Sequence, residues 1–107
     1  MISTHILDLK EGLPAEDVSV SLELKTEEAW MLVQTARTNN DGRIAFDCDA
    51  AVGVYRLTFE TEDYLRQKGI EPFFVSTPVS FHITDNSRKY HIPLLLSPYG
   101  YSTYRGS

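Results

Sequence analysis

One cysteine among 107 residues excludes any intrachain disulfide framework. Stability must come from a packed core, where Cys48 is expected to serve as a small apolar side chain, and a lone thiol fits a reducing compartment. Long hydrophobic runs are missing as well: Ala29–Val33 falls far short of the ~18 residues that cross a bilayer as a helix. The opening, Met1-Ile2-Ser3-Thr4-His5-Ile6-Leu7-Asp8, lacks the basic and apolar regions of a signal peptide, so the expected location is cytoplasmic, with no membrane partner. Basic clusters do not exceed the pair Arg88–Lys89, and 15 acidic against 10 basic side chains leave a net charge of −5. That balance argues against a nucleic-acid partner. The three histidines, His5, His82 and His91, have no close metal-ligand spacing and no cysteine partner set, so no metal is expected. A Gly-x-Ser-x-Gly nucleophile elbow is absent too; there is no phosphate-cradling glycine loop, and no cofactor is expected.

What is present is ordinary globular composition, 42% hydrophobic and 23% charged, in a length that suits one domain over residues 1–107. Period-2 alternation dominates. Val18, Val20, Leu22 and Leu24 share one face against Ser19, Ser21 and Glu23; Tyr55, Leu57 and Phe59 alternate with Arg56, Thr58 and Glu60. Val79, Phe81 and Ile83 alternate with Ser80 and His82, which predicts a solvated His82. Residues 5–9, 30–37, 43–47 and 88–96 also read as strands. Strands with one wet face point to antiparallel sheets.

Turn chemistry separates the strands. Asn39-Asn40-Asp41-Gly42 tolerates the positive φ of a tight hairpin, and Gly12-Leu13-Pro14-Ala15 and Asp85-Asn86-Ser87 break the chain elsewhere. Residues 61–69 differ: Thr61 as a capping residue, acids first, bases last and a closing Gly69 predict a short helix. Seven or eight strands with one helix make an all-β sandwich the expected architecture. Pro93 cannot donate to a ladder, so it should mark an edge, a bulge or a place where pairing stops. Tyr99, Tyr101 and Tyr104 give the last residues an aromatic content that predicts packing, against the domain or a second subunit.

Taken singly, each histidine reads as structural or solvated, and Arg43 as a solvated strand start. Four blocks together carry more. Tyr101-Ser102-Thr103-Tyr104-Arg105-Gly106-Ser107 and the preceding His91-Ile92-Pro93-Leu94-Leu95-Leu96-Ser97-Pro98-Tyr99-Gly100 resemble the C-terminal signature and final strand of the transthyretin-related 5-hydroxyisourate hydrolases. Ser3-Thr4-His5-Ile6-Leu7-Asp8 and Thr38-Asn39-Asn40-Asp41-Gly42-Arg43 agree with the same family in order and spacing. Two stretches depart from it: Lys89 stands where the family often has another histidine, and residues 73–78 lack its acidic character.

The resemblance implies a transthyretin-like sandwich, a homotetramer (a dimer of dimers) with sites in a channel between dimers, and hydrolytic ring opening of 5-hydroxyisourate, the immediate product of urate oxidation. It maps catalytic positions onto His5, Arg43, His91 and Ser107, with Tyr104, Arg105 and Gly106 shaping the substrate-binding tail. The chemistry suits those residue types. An imidazole near its ordinary pKa of ~6.5 can deprotonate water, and a guanidinium can polarise a carbonyl and hold the resulting oxyanion. The assignment is His91 as general base, His5 positioning water or substrate, Arg43 binding the ring, and Ser107 adding its hydroxyl and, as the last residue of this sequence, a carboxylate. A hormone-type carrier on the same sandwich is the alternative, and the polar set suits it poorly.

Overall fold

In the computed structural model, which describes residues 1–107, the alternating segments form nine strands and one helix. They are β1 (Ile2–Asp8), β2 (Leu13–Pro14), β3 (Ser19–Lys25), β4 (Trp30–Arg37), β5 (Arg43–Phe46), β6 (Gly53–Phe59), α1 (Thr61–Gln67), β7 (Thr77–Ile83), β8 (Tyr90–Ser97) and β9 (Gly100–Thr103). One sheet runs β2-β1-β8-β9, with β5 also paired to β1; the other runs β4-β3-β6-β7. The count exceeds seven or eight because β2 has two residues and the tail itself supplies β9. Alternation places the core: Ile2, Ile6, Val20, Leu22, Leu57, Phe59, Phe46 and Leu94 are all buried between the sheets. Their outward neighbours, Ser3, His5, Ser21, Arg43 and His91, remain open to solvent in varying degree. Cys48 packs half-buried against this core, as expected.

One pairing departs from the antiparallel expectation. β1 and β8 run parallel, from Ile2 beside Tyr90 to Asp8 beside Leu96. No tight turn joins strands this far apart in the chain, so direction is free to follow burial rather than hairpin geometry. Pro93 lies within β8 and pairs with His5 on the β1 side. On the other side, the β9 ladder stops at Leu94 and resumes only as a bridge between His91 and Gly106. The missing N–H thus faces a gap, and the Pro93 carbonyl accepts the Thr103 hydroxyl across it at 2.6 Å.

The helix forms where its charges predict, yet its start differs. Glu60 is the capping residue and makes no side-chain capping bond. Thr61 is instead buried, with its hydroxyl 3.1 Å from that of Thr77. The end follows expectation: Gly69, at φ +75°, and Ile70 donate back to Arg66 and Leu65, closing the helix in a Schellman motif. No helix is long and apolar enough to cross a membrane.

Candidate active site

The site lies on the outward face of the β5-β1-β8 strands. Antiparallel register sets His5 opposite Arg43, and parallel register sets Ser3 beside His91. Because outward residues alternate, Ser3, His5, Arg43 and His91 all emerge on one side of the sheet. Arg43 is delivered by the turn before it. Asn39 Oδ1 accepts the Asp41 N–H at 2.9 Å and the Arg43 N–H at 3.0 Å, while Gly42 sits at φ +71°. A side chain at Gly42 would also strike the Ile6 carbonyl, 2.6 Å from an ideal Cβ. The turn therefore holds Arg43 by both backbone shape and an Asx bond.

His91 is held on two edges. Its Nδ1 lies 2.8 Å from Ser3 Oγ. Gly106 donates its N–H to the His91 carbonyl at 2.8 Å and lies against the ring. A Cβ there would stand 2.5 Å from Cδ2, so the close approach requires glycine. A cleft of about 350 Å³ follows, lined by Ser3, Thr4, Asn39, Arg43, Ile44, Ala45 and His91. Both imidazoles titrate below the ordinary value of 6.5. For His5 the larger cause is burial and the second is the Arg43 guanidinium, with Asp41 opposing. For His91 burial again leads, followed by Arg43 and then His5. Each ring is thereby kept neutral, and so able to accept a proton, at pH 7.

Of the residues mapped from sequence, the structure brings His5, Arg43, His91 and Gly106 together. Tyr104 and Arg105 lie one step away, in a second cleft of about 270 Å³ that shares His91. The Arg105 guanidinium stands 5.1 Å from the Tyr90 ring centroid. His82 is exposed, as expected, but lines this same cleft from β7. Tyr104 is 58% exposed rather than packed against its own domain. Ser107 is exposed, follows Gly106 directly, and makes no hydrogen bond to His5, Arg43 or His91. Ser3 and Asn39 are the residues that sequence reasoning passed over. The available signal was phase: Ser3 is two residues from His5, on the same face of the same strand. No group of three or more His, Cys, Asp and Glu side chains is gathered as metal ligands.

Two sheets packed face to face, a parallel first-to-penultimate strand pair and a tail bonded to that strand define a transthyretin-like protein, here with a histidine–arginine–histidine set on the outer face. The chain belongs to the HIUase/Transthyretin family, whose family model matches residues 2–106. It is 47% identical over 110 residues to a 5-hydroxyisourate hydrolase of Salmonella typhimurium, covering 100% of this chain and 81% of that protein. The structure of Klebsiella pneumoniae 5-hydroxyisourate hydrolase superposes with a TM-score of 0.88 at 40% identity, over 99% of this chain and 98% of that one. Sea bream transthyretin, in complex with thyroxine, superposes with a TM-score of 0.92 at 32% identity, over 98% and 93%. Backbone shape alone therefore does not separate hydrolase from carrier.

Proposed function

We propose that this protein, a single domain over residues 1–107, hydrolyses 5-hydroxyisourate to 2-oxo-4-hydroxy-4-carboxy-5-ureidoimidazoline in urate catabolism, without a cofactor. The observation that carries the reading is the convergence of His5, Arg43 and His91 on one sheet face, both rings held below their ordinary pKa. Relatives that share this sequence at 40–47% identity carry the hydrolase name, which supports it. In the mechanism, His91 takes a proton from water while His5 orients the water or the ring. The hydroxide adds to a ring amide carbonyl, and Arg43 faces the oxygen as it becomes negative. The tetrahedral intermediate then collapses: the ring C–N bond breaks, the carbonyl carbon becomes a carboxylic acid, and His91 returns its proton to the leaving nitrogen. The Ser107 hydroxyl and the Tyr104–Gly106 segment border the substrate. A neutral-base mechanism of this kind explains why burial and Arg43 both act to keep the rings unprotonated.

An outward sheet face cannot enclose a substrate by itself. The reading therefore includes a homotetramer in which a facing copy closes a channel over His5, Arg43 and His91. The free, half-buried Cys48 is compatible with a cytoplasmic location. A carrier of an apolar hormone is disfavoured, because two imidazoles and a guanidinium would be desolvated against a ligand that cannot satisfy them.

The test is an ultraviolet time course with freshly generated 5-hydroxyisourate. Addition of the protein should accelerate loss of the signal well beyond spontaneous decay, and prior treatment with a chelator should leave the rate unchanged. Decay at the spontaneous rate in the presence of folded protein refutes the hydrolase reading.

A further inference from the structure

A neutral imidazole carries one proton, and the nitrogen that holds it decides whether the other can accept. In His91 the two nitrogens have different surroundings. Nδ1 faces Ser3 Oγ at 2.8 Å. The Cδ2 edge is closed by Gly106. Nε2 has no hydrogen-bond partner, and His91 lines both the cleft beside Tyr104 and the cleft it shares with Arg43. Arg43 offers only donors, so a lone pair turned toward that cleft is favoured over a second N–H there. A serine oxygen has two lone pairs and can take the proton-bearing Nδ1.

We propose that Ser3 is a positioning residue of the hydrolytic site: its hydroxyl oxygen accepts the Nδ1–H of His91 and keeps the Nε2 lone pair directed at the attacking water. The inference rests on the hydrolase reading above. During the reaction Nε2 takes the water proton and later returns it to the leaving ring nitrogen, while Nδ1 stays protonated and Ser3 keeps its own hydroxyl proton. A neutral partner fixes the tautomer without the attraction that a carboxylate would exert on the imidazolium. That difference fits a ring which burial and Arg43 hold below its ordinary pKa.

The experiment combines nitrogen NMR of the ring-labelled, full-length protein with steady-state kinetics. Wild-type His91 should show a protonated Nδ1 and an unprotonated Nε2 at pH 7.5. Ser3→Ala should lose this preference and lower kcat by about 10- to 100-fold, a part of the ~10²–10⁴-fold that a general base supplies, with KM little changed. Ser3→Thr, which keeps the hydroxyl and suits a strand, should restore both the tautomer and most of kcat. A wild-type spectrum with the proton on Nε2 overturns the proposal, and that measurement needs no variant to fold. So does an active wild type whose Ser3→Ala form keeps its kcat within about two-fold. A wild type that leaves 5-hydroxyisourate untouched overturns the hydrolase reading first, before any variant is made.

Discussion

Two imidazoles and one guanidinium on a shared sheet face repel one another once the rings are protonated. This is why the titration of His5 and His91 carries information about Arg43. Burial lowers both rings first, and Arg43 adds to it. The acid limb of kcat/KM is therefore expected to have its midpoint below 6.5. Arg43→Lys keeps the charge and should leave that midpoint low, yet lose ~10²-fold or more in kcat/KM because the planar fork is gone. Arg43→Gln should lose at least as much and also move the midpoint upward. A midpoint that ignores the charge at residue 43 would remove Arg43 from the rings' surroundings. The same shifts act on stability. As pH falls, the unfolded chain protonates these histidines before the folded one does, so their contribution is complete above 6.5 and declines as pH drops through the lowered folded values. Urea midpoints recorded from pH 7.5 downward should fall less steeply in His5→Asn/His91→Asn than in the wild type.

Elements show where local pattern is sufficient and where it is not. The strands follow alternation closely: β4 occupies residues 30–37, and β3, β6 and β7 lie within two residues of the segments that alternation marks. The helix is legible from its charges and its terminal glycine, but Thr61 is misleading. Its sequence context is that of a cap, and nothing local reveals that Thr77, on the next strand, is buried against it. This gives a test on the junction between α1 and β7. Thr61→Val leaves the Thr77 hydroxyl buried without its partner and should cost about 1–3 kcal/mol in urea denaturation. Adding Thr77→Val should recover most of that loss, because both polar groups are then gone. A double variant as unstable as the sum of the singles would mean that the pair acts by packing alone. The tail gives the opposite kind of element, one with little burial but close contact. Gly106→Ala places a Cβ where only 2.5 Å separates it from His91 Cδ2, so activity should collapse while the melting temperature moves little. An active Gly106→Ala enzyme would show that the ring is not held from that side.

At the scale of the molecule, sequence pattern conveys the sandwich and the side of each strand that faces the core, but not which strands become neighbours. The parallel union of β1 with β8 is the decisive case, since it alone carries Ser3 to His91. The family resemblance supplied His5, Arg43 and His91, and their meeting follows from the register that the chain's two ends adopt. The Leu94–Leu96 run offers little surface for assembly, because Leu94 and Leu96 are spent on the core and only Leu95 is turned outward. Other apolar surface takes that place. β7 and β9 each end one sheet and both border the cleft beside His91, so these two free edges lie on one side of the sandwich. Near them Phe74 packs edge-on against both Phe73 and Tyr101, and Phe73 and Tyr99 remain 70% and 77% exposed. Open strand edges flanked by exposed aromatic rings favour self-association over a stable monomer. For the proposed homotetramer, light scattering should report about four times 12.1 kDa. Glu substituted at Tyr99 and Phe73 should shift the mass toward smaller species, because burying those charges in an apolar contact is costly. Activity should fall with the tetramer fraction while the monomer stays folded, since none of these rings belongs to the buried core. A folded monomer as active as the assembly would show that one sheet face suffices to hold the substrate.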